Sequence, residues 1–229
     1  MNRFSKLSFR LSPALIIVLV FAGLAFKSNV PTSLTAADQR VFASIGLKAN
    51  VRFASFDDEI AWIRKAQTEV FARAPLGEGI ADNQTREPAD LMERVRHGLC
   101  FDRARSLDKA FTYMGFESRH VYLLFRQKPS FIRTLFTRAS PSHAVTEVKT
   151  SRGWMMVDSN SPWIALTPAG AVVNADEVWK RAGEFGAIPQ YLRPPYWAIR
   201  GMYSRKGHLY SRISMFPEFN WSDFMRWLL

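Results

Sequence analysis

Cysteine is almost missing from this chain: Cys100 is the only one among 229 residues. An intramolecular disulfide is therefore excluded, and so is a cysteine-rich zinc site. Acidic residues are also scarce, 20 Asp and Glu against 31 Lys and Arg, for a net charge of +11. The positive excess is scattered along the chain, and no nucleic-acid-binding motif accompanies it, so nucleic acid is not an expected partner. No acidic loop has calcium-binding spacing, and neither a metal nor another cofactor is expected. Internal repeats and low-complexity tracts are missing too, which sets aside solenoids and disordered arrays.

Apolar residues make up 48% of the chain and charged residues 22%, enough for a globular domain with a core. Residues 11–26, LSPALIIVLVFAGLAF, carry no charge and follow Arg3, Lys6 and Arg10. That is the pattern of an export signal or a signal anchor. Gly23 and Ala25 form a small-x-small site, but Phe26 and Lys27 are poor neighbours for cleavage, so an uncleaved N-terminal hydrophobic anchor helix is expected. The positive flank stays in the cytoplasm, which places the body outside it. The expectation is a single-pass protein of a bacterial inner membrane, its domain facing the periplasm. The chain divides into a signal anchor (1–28), a linker and entry segment (29–55), a core (56–165) and a C-terminal extension packed on the core (166–229).

Within the core, Ser55-Phe-Asp-Asp58 reads as a helix N-terminus, and apolar spacing predicts a helix over 57–73. A polar loop follows over 74–87, then a short helix from Pro88, with Gly98 placed to end it. Ala104, Leu107, Phe111 and Met114 make one apolar face of a helix starting near Cys100 and ending at Gly115, with Arg103 and Lys109 expected to face out. A strand is predicted at 118–125 and a basic loop at 126–141. HAVTEVKT, a Ser151-Arg-Gly153 turn and WMMVDSN then form a β-hairpin. Asn174 with Glu177 suggests a helix running to Phe185, and SDFMRWLL reads as a short amphipathic helix that packs on the domain or lies at a membrane surface.

A catalytic thiol needs a route to the thiolate, a nearby base, and a partner that orients the base. Cys100 at a helix N-terminus meets the first need, since partial positive charge there lowers a thiol's pKa and the backbone N–H groups can bind an oxyanion. His143 opens the first hairpin strand and Asp158 lies near the end of the second. Pairing Lys149 with Trp154 puts His143 and Asp158 on one face as diagonal neighbours; a shorter pairing puts them directly opposite. Either way the carboxylate reaches the imidazole and fixes its tautomer. His97 reads as a helix-terminal cap and His120 as a structural residue. Asp102 and Arg103 either tune the site or coat the helix.

The order of helix-starting Cys, strand, strand-opening His and paired strand ending in Asp resembles the transglutaminase-like branch of the papain-like cysteine enzymes. The resemblance is carried by GLCFDRARSLDKAFTYMGFESRHVYLL, SHAVTEV and GWMMVDSN, over residues 98–160. It implies an α+β fold, with the nucleophile helix packed on a small antiparallel sheet. It also implies a Cys100 nucleophile, a His143 base and an Asp158 orienter. Papain itself has a glutamine upstream of its cysteine for the oxyanion, where this chain has Arg94; Trp62 or Gln67 are candidate replacements. Arg133, Arg138 and Trp154 are the expected substrate rim. The implied activity is cysteine-dependent acyl transfer on amide bonds, as a protease or amidase, or as a transferase to an amine. The substrate would be a peptide or other amide-bearing molecule of the cell envelope. The alternative is a catalytically silent scaffold in an envelope or polysaccharide assembly complex.

Overall fold

The protein is described from a computed structural model covering residues 29–77, 87–137, 140–204 and 217–229, with the isolated positions 19 and 23. The expected anchor over 11–26 and Arg138 lie outside these residues, apart from Leu19 and Gly23. No helix among the described residues is long and apolar enough to cross a membrane.

Six α-helices are present among the described residues: α1 (Ala36–Ser44), α2 (Phe56–Arg73), α3 (Pro88–Asp90), α4 (Cys100–Met114), α5 (Phe131–Phe136) and α6 (Trp221–Leu228). Four strands, β1 (Ser118–Phe125), β2 (Ser142–Thr150), β3 (Gly153–Val157) and β4 (Tyr196–Arg200), form an antiparallel sheet in the order β3-β2-β1-β4. A small second sheet pairs β5 (Met202–Ser204) with β6 (Glu218–Phe219). The fold is mixed α+β.

Local chemistry explains most boundaries. The Ser55 hydroxyl caps α2 by accepting from the Asp58 N–H at 3.2 Å. Gly115 ends α4 in the left-handed region at φ +97°, and an added Cβ would sit 3.3 Å from the Asn50 backbone. Lys149 pairs with Trp154, as the Gly153 turn (φ +115°) requires. Leu107, Ala110, Phe111 and Met114 of α4 join Ile63, Ala66 and Val70 of α2 and Leu123, Val145 and Val148 of the sheet in the main core. Burial of this apolar surface is the dominant stabilising term.

Several expectations are corrected. The segment read as a linker contains α1, whose Val41 and Phe42, with Ile45 and Leu47 just beyond, enter the core. Because this segment wraps α4, Arg103 and Lys109 do not face out but are buried. Lys109 bonds Asp38 (2.8 Å) and Glu87 (2.6 Å), while Arg105 bonds the same Glu87 through both carboxylate oxygens and donates to the Pro31 carbonyl. The helix expected over 174–185 is a run of turns ending in a 3-10 turn at Ala182–Glu184. There the Asn174 side chain accepts from the Asp176 N–H, closing a local turn instead of starting a helix. The basic loop at 126–141 contains α5. The C-terminal extension supplies β4, so it is part of the central sheet and not an addition to it.

Candidate active site

Cys100 is the first residue of α4 and is partly exposed. Asp102 turns back to accept from the Leu99 N–H at 3.0 Å, which fixes the entry of the chain into the helix. Gly98 makes this entry sterically open: an added Cβ would lie 3.0 Å from Leu91 Cδ1 and 3.1 Å from Asp102 Cβ. The Cys100 N–H belongs to the first helical turn, where amides have no carbonyl partner within the helix and can face an anion. The Thr146 hydroxyl donates to the Ala104 carbonyl at 2.8 Å and ties α4 to β2, the strand that carries His143.

His143 and Asp158 meet at 2.6 Å, Nε2 to Oδ1, and both are buried. Cys100 hydrogen-bonds the same imidazole, and with Nε2 on Asp158 the sulfur is left to Nδ1. Burial opposes charge on the ring, but the bonds to Asp158 and Cys100 outweigh it and lift the His143 pKa to about 9. Burial alone would raise the Asp158 pKa, yet its bonds to His143, Ser161 and Tyr191 hold it below the ordinary carboxylate range. The three residues expected from sequence are thus brought together.

The rest of the site was not read from sequence. Asp158 Oδ2 accepts from the Ser161 N–H (2.8 Å), the Ser161 hydroxyl (2.7 Å) and the Tyr191 hydroxyl. The Tyr191 ring also meets the His143 ring edge-on, with centroids 5.3 Å apart. Ser161 follows Asp158 by three residues, an Asx-turn spacing that sequence could have flagged. Tyr191 comes from a remote loop with no local signal. Arg103, one turn after Cys100, stacks on Phe71 with its guanidinium 3.8 Å from the ring centroid. Burial pushes its pKa down, while the negative charge of Asp158 and Cys100 opposes that shift.

The oxyanion and rim expectations need correction. Gln67 Nε2 donates to the carbonyls of Asp158 (2.8 Å), Ser161 (3.0 Å) and Trp163 (3.0 Å). Its donors are committed to the backbone behind Asp158 and hold the orienting carboxylate instead of an oxyanion. The Trp62 ring is occupied by the ammonium groups of Lys65 (4.9 Å) and Lys48 (5.8 Å). Trp154 lies at the turn end of the hairpin, opposite Lys149. At about 3.3 Å per residue, that is roughly 20 Å along β2 from His143, too far for a rim. It stacks instead under Arg119 at 3.9 Å. Arg133 is exposed on α5.

His120 is fully buried against Tyr203, with ring centroids 3.9 Å apart, and burial lowers its pKa to about 3, so it stays neutral. His97 accepts or donates locally at the Val95 carbonyl, 3.0 Å away, as a helix-end residue does. Among the described residues, no group of three or more His, Cys, Asp and Glu side chains is placed to hold a metal ion. The chain matches no family model and no curated protein.

Proposed function

We propose that this protein is a membrane-tethered, cysteine-dependent acyl-transfer enzyme of the transglutaminase-like kind, acting on amide bonds through a Cys100 thioester. The observation that carries the reading is the 2.6 Å contact from His143 to Asp158, on an imidazole that also bonds the sulfur of a helix-starting cysteine. A His143 pKa of about 9 favours imidazolium paired with thiolate at neutral pH.

In the first half-reaction the Cys100 thiolate attacks the amide carbonyl carbon, and the oxyanion forms beside the Cys100 N–H at the α4 N-terminus. Imidazolium His143 gives its Nδ1 proton to the departing amine as the C–N bond breaks, leaving a thioester and neutral imidazole. In the second, His143 takes a proton from the acceptor as that acceptor attacks the thioester. The thiolate leaves and the ion pair is restored. Water as acceptor completes hydrolysis and an amine completes transfer. Asp158 keeps the ring oriented and stabilises its charged form throughout.

The test uses p-nitrophenyl acetate as acyl donor on the full chain in detergent. The expected result is an acetyl group on Cys100, seen by intact mass, released by water or more rapidly by added glycine methyl ester. Cys100→Ala should take no acetyl group and His143→Ala should take and release it far more slowly. Nitrophenol release unchanged in both variants would overturn the mechanism and favour a scaffold role.

A further inference from the structure

The uncharged run at residues 11–26 is joined to the described body at Asn29. Three peptide steps separate Phe26 from Asn29, and an extended chain spans at most about 3.5 Å per step. A bilayer that holds residue 26 therefore lies within roughly 10 Å of Asn29.

What surrounds Asn29 is α6. Asn29 bridges Phe219, and the Val30 N–H donates to the Phe219 carbonyl at 2.7 Å. Asn220 Nδ2 donates to the Val30 carbonyl at 3.0 Å, and the Trp221 N–H donates to Asn29 Oδ1 at 3.2 Å. The entry of the chain is thus clamped to the first turn of α6, a helix about 12 Å long. One side of this helix, through Phe224, packs with Phe219, Ile199 and Met202. The other side shows Met225 (42% exposed), Trp227 (38%) and Leu228 (59%) to the outside, beside the exposed Arg226. The α5 residues Phe131 and Leu135 pack in the same cluster as Phe224 and leave Ile132 and Arg133 exposed, with Lys128 just before them.

From this we infer that α6 lies in the surface of the bilayer that holds residues 11–26. Met225, Trp227 and Leu228 sit at the headgroup–acyl boundary, and Arg226, Lys128 and Arg133 face anionic lipid phosphates. The inference rests on the tethered reading given above, and its reasons are the short span from residue 26 and the matching charge of surface and lipid. An aromatic and methionine face beside cations is the composition of an interfacial helix, and a second contact of this kind fixes the orientation that a single flexible tether leaves free.

The test uses the full chain carrying Cys100→Ala and one new cysteine, either Leu19→Cys or Met225→Cys, labelled with bimane. Each protein is reconstituted into phosphatidylcholine–phosphatidylglycerol vesicles with nitroxide on the headgroup or deep in the acyl chain. The expected result is loss of fluorescence at position 225 with headgroup nitroxide and at position 19 with deep nitroxide. Removing phosphatidylglycerol should reduce the loss at 225 alone. Quenching at 19 without quenching at 225 would overturn the docking of α6 and leave the tether intact. No quenching at either position would overturn the tether, and with it this inference.

Discussion

Gln67 spends its amide donors on three carbonyls around Asp158, so its loss would strand buried acceptors beside the site. Gln67→Leu should cost about 3 kcal/mol in urea denaturation and lower the His143 pKa as Asp158 loosens. Tyr191→Phe removes one donor to the Asp158 carboxylate and leaves the ring edge on His143. Since a hydrogen bond to a charged group is worth about 1.5–3 kcal/mol, roughly ten-fold slower acyl transfer is expected, with folding retained. Titration has a definite sign as well. His143 has a folded pKa of about 9 against an ordinary 6.5, so its contribution to stability is complete below 6.5 and is lost as pH rises through about 9. Asp158, held low, contributes above the ordinary carboxylate pKa and loses its share only as acid reaches its lowered value. Urea midpoints should therefore fall between about pH 7 and pH 10, and His143→Ala should flatten that fall.

At the scale of elements, α4 does most to build the site, because one helix start presents both the sulfur and the backbone amide. Its end depends on Gly115, where φ is +97° and Asn50 is in contact. Gly115→Ala should cost about 1–2 kcal/mol, read as a lower thermal midpoint. The α4 helix, β1 and the hairpin were legible in the sequence because each carries local signals: apolar spacing, β-forming runs and glycines at the turns. The register followed from the Ser151-Arg-Gly153 turn, and with it the pairing of His143 and Asp158. β4 and Tyr191 were not legible. The strand YWAIR pairs with residues more than seventy positions earlier, and Tyr191 reaches Asp158 from a loop whose path is set by tertiary packing alone. The turns over 175–181 were misread because Asn174 and Glu177 mimic a helix start that the Asn174 side chain diverts.

Across the whole molecule, the segment from Asn29 to Leu47 converts α4 from a half-exposed helix into a buried one. The conversion works because each buried cation on α4 meets a ring or a carboxylate carried by another element. Lys109 is the centre of this arrangement, bound to Asp38 and Glu87. Lys109→Ala leaves Asp38 fully buried without its counter-charge and should cost about 3–5 kcal/mol. Limited proteolysis should then cut first within residues 29–47. Sequence reasoning took Lys109 for a surface residue because helical spacing shows which face is apolar, not what wraps the opposite one.

The most direct test of the Cys–His–Asp site is the rate of Cys100 alkylation by iodoacetamide as a function of pH, in the full chain and in His143→Ala. Rapid labelling that persists well below the ordinary thiol range, about pH 8.5, and is lost in the variant is the expected result. Slow labelling with an ordinary thiol profile in both proteins would contradict an activated Cys100.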